Sequence, residues 1–108
     1  MRLLILSLFV FFLSCGDDEA VLPACIDQLL EEFKLEACQD TGDLTLWEFN
    51  GRDVYCFQLG VCIADAGADI YDEDCNHLCF LGGIAELTLC EGLNWEENAV
   101  YKTTLYIH

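Results

Sequence analysis

Apolar residues recur at helical spacing through residues 23–36, PACIDQLLEEFKLE. The positions that share one stripe are Ile26, Leu29, Leu30, Phe33 and Ala37. The charged residues Asp27, Glu31, Glu32 and Lys34 lie off this stripe, and Pro23 suits the first turn of a helix. The segment is therefore predicted to be an amphipathic helix that packs on a flat apolar surface. Residues 40–43, DTGD, end the pattern.

Residues 44–59, LTLWEFNGRDVYCFQL, contain two runs of strand-forming residues on either side of Asn50-Gly51. That dipeptide is a strong signal for a two-residue hairpin turn, because both turn positions take positive φ. The predicted cross-strand pairs are Phe49–Arg52, Glu48–Asp53, Trp47–Val54, Leu46–Tyr55 and Thr45–Cys56. The Glu48–Asp53 pair places like charges opposite each other, so we expect it to be exposed, with a bound cation as the alternative.

Both faces of this hairpin are apolar. One face carries Trp47, Phe49, Val54 and Cys56, and the other carries Leu44, Leu46, Tyr55 and Phe57. We expect the helix to cover one face and the cysteine-rich segment to cover at least part of the other. Residues 99–107, AVYKTTLYI, favour a third strand, with a short helix as the alternative. The expected fold class is α+β: a small disulfide-rich domain in which one N-terminal amphipathic helix packs on a short antiparallel sheet.

Residues 3–13 form an apolar run that is interrupted only by Ser7 and preceded by Arg2. This order is typical of a secretory signal, and the run is shorter than the roughly 20 residues that a membrane-spanning helix needs. The boundary Phe12-Leu13-Ser14-Cys15 resembles the lipobox of bacterial lipoproteins. The resemblance implies a diacylglycerol thioether at Cys15, cleavage before it and acylation of the new amino terminus, which together would anchor the protein firmly.

The chain is accordingly predicted to comprise a signal peptide at 1–14, a lipidated acidic tether at 15–21 and one small domain at 22–108. Asp17-Asp18-Glu19 resembles the export signals of some Bacteroidota lipoproteins, and Gly16 differs from the aspartate of the familiar inner-membrane retention signal. The expected location is therefore the outer membrane, lipid-anchored and exposed at the cell surface. An ordinary secreted protein whose leader is cut elsewhere is the alternative.

The chain contains eight cysteines. With Cys15 lipidated, seven remain as disulfide candidates: Cys25, Cys38, Cys56, Cys62, Cys75, Cys79 and Cys90. Seven cannot all pair within one chain, so at most three bridges form and one thiol stays unpaired or pairs with another chain. Because a domain of this size has a small core, each bridge is expected to stabilise it by about 2 to 5 kcal/mol. The connectivity stays open.

The chain carries 20 acidic and 4 basic residues, for a formal net charge of −16. Such a charge repels phosphate backbones and anionic headgroups, so nucleic acid is not an expected partner. Membrane contact is expected through the lipid anchor. A cation or a basic protein is compatible with the charge.

Few residues offer catalytic chemistry. Both serines, Ser7 and Ser14, lie in the predicted leader, which excludes a serine nucleophile from the mature domain. The chain has no Cys-x-x-Cys motif, and a Cys–His pair would have to use His77 or His108. Cys75-x-His77-x-Cys79 is a weak zinc candidate, because its spacing is atypical and disulfides compete for the thiols. We therefore do not expect an enzyme.

Asp72, Asp74 and Asn76 place oxygen ligands at alternate positions, as at the opening of a calcium loop. The sixth and twelfth positions of that loop are His77 and Gly83 instead of the usual glycine and glutamate. An acidic, solvated loop is therefore favoured, and no cofactor is expected, with calcium as the alternative.

Several motifs between Pro23 and Cys90 resemble a family of small, uncharacterised Bacteroidota lipoprotein domains. They are Pro23-Ala24-Cys25-Ile26, Trp47-Glu48, Gly51, Val54-Tyr55, Cys62, the run YDEDCNHLC at 71–79, Gly82-Gly83-Ile84 and Cys90. The chain departs from the family pattern at residues 80–83, where the family reads Pro-Asp-Gly-Gly, and at 86–88, where it has a glycine-aspartate turn. The resemblance implies a fold and an envelope location and no chemistry.

The expected function is that of a cell-envelope lipoprotein, a binding or structural module of the outer membrane. One alternative is a disulfide-stapled enzyme inhibitor, which would present a rigid exposed loop at 64–74. The other is a calcium-binding surface domain.

Overall fold

The structure is a computed structural model that describes residues 22–63 and 66–108. The predicted signal peptide and tether, including Cys15, lie outside these residues. The elements are α1 (Ala24–Phe33), β1 (Asp43–Phe49), β2 (Arg52–Gln58), β3 (Gly67–Asp72), β4 (His77–Gly82), β5 (Leu89–Cys90), β6 (Leu93–Asn94), α2 (Trp95–Asn98) and β7 (Ala99–Ile107).

The larger sheet has five antiparallel strands in the order β4-β3-β2-β1-β7, and β5 and β6 form a separate two-stranded sheet. The expected α+β class, with one N-terminal helix on an antiparallel sheet, is confirmed. In the part of the chain that the structure describes, no helix has the length and apolarity needed to cross a membrane.

The central hairpin has the predicted register, from Phe49 opposite Arg52 to Thr45 opposite Cys56. Asn50 and Gly51 have φ values of 56° and 82°, as the tight turn requires. The like-charged Glu48–Asp53 pair has a cation beside it that the chain itself supplies. The Lys102 ammonium, from β7, lies 2.8 Å from an Asp53 carboxylate oxygen.

The helix covers the hairpin face predicted to carry Leu44, Leu46, Tyr55 and Phe57. Ile26, Leu30 and Phe33 of α1 are buried there. The helix ends at Phe33, earlier than the predicted Glu36, because the chain then tightens into turns. Leu35 N–H donates to the Glu32 carbonyl, and Glu36 N–H donates to the Phe33 carbonyl.

The opposite sheet face is covered in part by the chain after β4, as expected for the cysteine-rich segment. The buried residues of this second cluster are Phe49, Val54, Cys56, Ala68, Ile70 and Cys90. Trp95 and Ala99 pack against them. The sheet is therefore the middle layer of the domain, with one apolar cluster on each side.

Three disulfides hold these layers together, and one cysteine of the described residues is free, as the cysteine count predicts. Cys25–Cys75 joins the start of α1 to the β3–β4 turn, and Cys79–Cys90 joins β4 to β5. Cys38–Cys62 joins the segment before β1 to the segment after β2. The free thiol is Cys56, which is buried on β2.

The C-terminal segment is the expected third strand and not the alternative helix. Strand β7 pairs with β1 along its length, from Ala99 opposite Phe49 to Ile107 opposite Asp43. Its nine residues face seven, and the pairing skips Lys102 and Leu105. These two irregularities are β-bulges, which bend the outermost strand of the sheet.

Candidate ligand-binding site

Three aromatic side chains meet on the sheet face that α1 does not cover. The ring centroids of Trp47 and Trp95 are 5.1 Å apart, and those of Trp47 and Tyr101 are 5.6 Å apart with nearly perpendicular planes. Phe49, fully buried, lies behind Trp95 at 5.0 Å. Tyr101 is 51% exposed, so this cluster reaches the surface.

Local structure fixes each ring. Trp47 and Tyr101 are direct cross-strand neighbours on β1 and β7. Trp95 begins the short helix α2, and its backbone N–H donates to the Thr88 carbonyl at 2.9 Å. The side chain of Asn94 caps that helix by accepting a hydrogen bond from Glu97 N–H at 2.9 Å.

The rings form one wall of a cleft of about 620 Å³, which we call the aromatic groove. Its floor includes Cys56, Gly67 and Ala68. A side chain at Gly67 would collide with the Leu81 carbonyl and the Phe80 ring, so glycine is required there for β3 and β4 to approach each other. The polar residues that line the groove are Thr45, Gln58, Thr88 and Glu96.

The indole N–H of Trp47 is already used within the protein. Its Nε1 donates to the Thr45 hydroxyl oxygen at 2.8 Å. The indole of Trp47 is therefore held in place, and its single N–H donor is already used within the protein.

The Cys56 thiol at the floor of the groove is unreactive. Burial raises the pKa of its thiol to about 12, while a hydrogen bond with Thr45 acts in the opposite direction and the charge of Asp43 adds to the increase. The thiol is thus protonated at neutral pH, and a nucleophilic cysteine would need the thiolate.

Asp43 is an acidic neighbour of this site on the same strand as Thr45 and Trp47. Burial raises the pKa of its carboxyl group. Its Oδ1 is buried and has no hydrogen-bond partner among the described residues. Glu96 places a second, exposed carboxylate on the groove itself.

The calcium candidates Asp72, Asp74 and Asn76 lie in and beside the β3–β4 turn. The Asp72 carboxylate accepts hydrogen bonds from the backbone N–H groups of Asp74 and Asn76, each at 2.9 Å, and from the Asn76 side-chain amide at 3.0 Å. These bonds, that of the Asn76 amide first, hold the pKa of Asp72 below its usual value. Asp74 and Asn76 are exposed.

The Asp72 carboxylate therefore acts as a cap for this turn. Over residues 22–63 and 66–108, no group of three or more His, Cys, Asp or Glu side chains is placed to hold a metal ion. Arg52 lies near the same carboxylate, at 3.9 Å, and binds Glu91 at 2.7 Å.

The thiols of the zinc candidate Cys75-x-His77-x-Cys79 are consumed by two disulfides, to Cys25 and Cys90. His77 instead contacts Asp69, with 2.8 Å between Nε2 and Oδ1, and packs against Tyr71 beside the α1 cluster. Cys56 belongs to the opposite cluster, so the sheet does not bring His77 to the free thiol.

The exposed loop that an inhibitor was expected to present at 64–74 does not form. Gly67–Asp72 are strand β3, which lies between β2 and β4 inside the sheet. Hydrogen-bonding partners on both sides hold this segment, so the expectation was wrong for its described residues.

A family model described as "Domain of unknown function (DUF6970)" matches residues 31–108. The chain belongs to this family. No curated protein and no solved structure matches the chain. The matched segment of the DUF6970 domain contains every residue of the aromatic groove and starts within α1.

The sequence predicts the positions of two of the three rings of the groove and does not place the third, Trp95. The hairpin register already placed Trp47 and Cys56 on one face, and the β7 prediction placed Tyr101 on a strand. Trp95 of this DUF6970 domain carried no signal, because its position depends on the Cys79–Cys90 bridge and on α2. The dipeptide Asn94-Trp95 before two glutamates was the available cue, since Asn is a preferred helix cap.

Proposed function

We propose that the protein is a lipid-anchored module of the cell envelope that binds a small ligand in the aromatic groove. The observation that carries this proposal is a cleft of about 620 Å³ walled by three aromatic rings. A concave, largely apolar surface with a few polar groups is the usual form of a small-molecule site.

The alternative role for these rings is to fill a core, and their exposure argues against it. Tyr101 is 51% exposed, and Leu87, which also lines the groove, is 47% exposed. A core would bury such side chains to stabilise the fold. An apolar surface left open and fixed by hydrogen bonds suits a surface that another molecule covers.

The anchor part of the proposal is supported by the leader sequence and the acidic residues after Cys15. If Cys15 carries the lipid, Cys15→Ser should release the protein from the membrane fraction into the soluble envelope fraction or leave it unprocessed. The intact mass of protein from native membranes should begin at Cys15 and include the acyl chains. A mass without lipid would overturn the anchor and leave the binding proposal to its own test.

The binding part can be tested through the indole N–H signals in nuclear magnetic resonance spectra. Both tryptophans of the chain, Trp47 and Trp95, line the groove, so both signals report on it. We would titrate the protein, purified in a non-ionic detergent, with choline, its uncharged isostere 3,3-dimethyl-1-butanol and D-glucose. Saturable shifts with at least one of these probes, lost in Tyr101→Ala and kept in Tyr101→Phe, are expected.

Tyr101 suits this test because half of its surface is exposed and, within the described part of the chain, its hydroxyl hydrogen-bonds Thr104 alone, at 2.6 Å. Tyr101→Ala should therefore fold, which its thermal unfolding curve would verify. If none of the three probes shifts either indole signal in the folded wild-type protein, the groove is not a binding site of this kind and the proposal is wrong.

A further inference from the structure

The ligand class of the groove follows from the kinds of surface it presents, and this step rests on the proposed binding function. Its wall contains the aromatic rings of Trp47, Trp95 and Tyr101. An aromatic face carries a negative quadrupole and attracts cations that lie within about 6 Å of it, most strongly when the ring is tryptophan. Two of the three rings in the wall are tryptophans.

Acidic groups reinforce the preference of these rings. Glu96 lines the groove, and the Asp43 carboxylate lies near the floor, where its charge contributes to the raised pKa of Cys56. Among the described residues, no lysine, arginine or histidine lines the groove. The aromatic rings and the carboxylates therefore both favour a positively charged ligand.

The few basic residues of the described chain are occupied elsewhere. Lys34 binds Glu31 at 3.0 Å, Arg52 binds Glu91 at 2.7 Å and Lys102 binds Asp53 at 2.8 Å. No internal cation therefore neutralises the groove within residues 22–63 and 66–108. The chain as a whole, at −16, attracts positively charged molecules and repels negatively charged ones.

The hydrogen-bonding capacity of the groove narrows the kind of cation. A guanidinium group presents five N–H donors and a primary ammonium group presents three, and each donor that is removed from water needs an acceptor. Among the described residues that line the groove, Glu96 supplies the one carboxylate, Gln58 and Thr88 each supply a side-chain oxygen, and the Thr45 hydroxyl already accepts from Trp47. An ammonium group whose hydrogens are replaced by methyl groups has no N–H donors that need acceptors. Its methyl groups can make apolar contacts with the aromatic wall.

We infer that the aromatic groove is a site for a small organic cation with an alkylated ammonium group. The three rings contact its methyl groups, and the Glu96 carboxylate faces its charge.

The comparison of choline with 3,3-dimethyl-1-butanol tests this inference, because the two molecules have the same shape and differ in charge. We expect choline to bind at least about tenfold more tightly. Glu96→Gln should weaken choline binding about threefold or more and leave the alcohol unaffected. Glu97→Gln is the matched control, since Glu97 follows Glu96 on α2, is exposed and does not line the groove.

The remaining outcomes separate the inference from the proposed function. Equal affinities for choline and the alcohol, with no effect of Glu96→Gln, would still show that the groove binds ligands. They would contradict the inference that its ligand is a cation. Saturation with D-glucose alone would show a site for neutral sugars and overturn it as well. If no probe shifts the indole signals, both proposals are wrong.

Discussion

At the scale of single residues, Asp72 organises the β3–β4 turn. One carboxylate accepts three hydrogen bonds, two of them from backbone N–H groups that would otherwise lack partners. The turn also contains Cys75, which has a positive φ of 66° and is bridged to the helix. A polar side chain therefore fixes the loop to which the first disulfide attaches.

Asp72→Ala should lower the free energy of unfolding by about 1 to 3 kcal/mol, because it leaves these donors without their charged acceptor. Equilibrium unfolding in denaturant measures the change. Asp74→Ala is the control, since Asp74 is exposed and lies in the same turn. Equal losses for the two variants would contradict the role of the Asp72 carboxylate.

The pH dependence of the same residue has a defined sign. The pKa of Asp72 is lowered in the folded state, so the unfolded chain binds its proton first as the pH falls. The stabilisation is complete above the ordinary aspartate pKa of about 3.9 and is lost as the pH falls through the lowered value. Asp72→Ala should accordingly show a weaker loss of stability on acidification than the wild-type protein.

At the scale of elements, local signals explain what the sequence predicts well. The hairpin depends on Asn50-Gly51 and on alternation within a single segment, and its register is confirmed residue by residue. The stripe of α1 is likewise a local pattern, and its buried residues Ile26, Leu30 and Phe33 are those expected. The residues that specify each of these elements lie within a segment of fewer than 20 residues.

The β3–β4 hairpin was missed because its signals are atypical. Its turn places the non-glycine residue Cys75 at positive φ, where a sequence reader expects Gly or Asn. Its inward positions on β3 are Ala68, Ile70 and Asp72, so the alternation ends in a charged residue. The sequence therefore favours a solvated loop for the acidic run, whereas its first residue, Asp72, is 9% exposed.

The aromatic groove depends on contacts between distant segments, which no local pattern reveals. The segment that carries Trp95 is held by Cys79–Cys90 and by the packing of Trp95 on Phe49. The cysteine count predicts at most three bridges and one thiol that is unpaired or pairs with another chain, but it cannot supply the pairing. Without the pairing, Trp95 could not be placed beside Trp47.

Removal of individual bridges should separate stability from binding. In the loop-entropy picture, Cys25–Cys75, with a sequence separation of 50, contributes about 4 kcal/mol, and Cys79–Cys90, with a separation of 11, about 3 kcal/mol. The double variant Cys79→Ala/Cys90→Ala should lose most of its choline binding, because that bridge holds the segment carrying Trp95.

The variant Cys25→Ala/Cys75→Ala is the comparison, since its bridge lies beside α1. It should be less stable and yet retain the indole shifts on titration while folded. Denaturant unfolding and the indole titrations together give both readouts. Loss of binding in the second variant alone would show that the groove depends on the helix side of the sheet and would contradict this assignment.

At the scale of the whole molecule, charge is the dominant feature. The chain has 20 acidic and 4 basic residues. The lysines and the arginine of the described residues are all in ion pairs, so they do not neutralise further carboxylates. The remaining carboxylates repel one another. This repulsion acts on the folded state more than on the expanded unfolded chain.

Salt should therefore change stability and binding in opposite directions. An increase in ionic strength from about 0.01 M to about 0.15 M shortens the screening length from about 30 Å to about 8 Å. Screening weakens the internal repulsion, so the Tm should rise by several degrees. It also weakens the attraction of the acidic domain for choline, so the affinity should fall, while that for 3,3-dimethyl-1-butanol should not. Calorimetry and indole titrations on the same samples give the two signs. A Tm and a choline affinity that move together would contradict a single electrostatic origin.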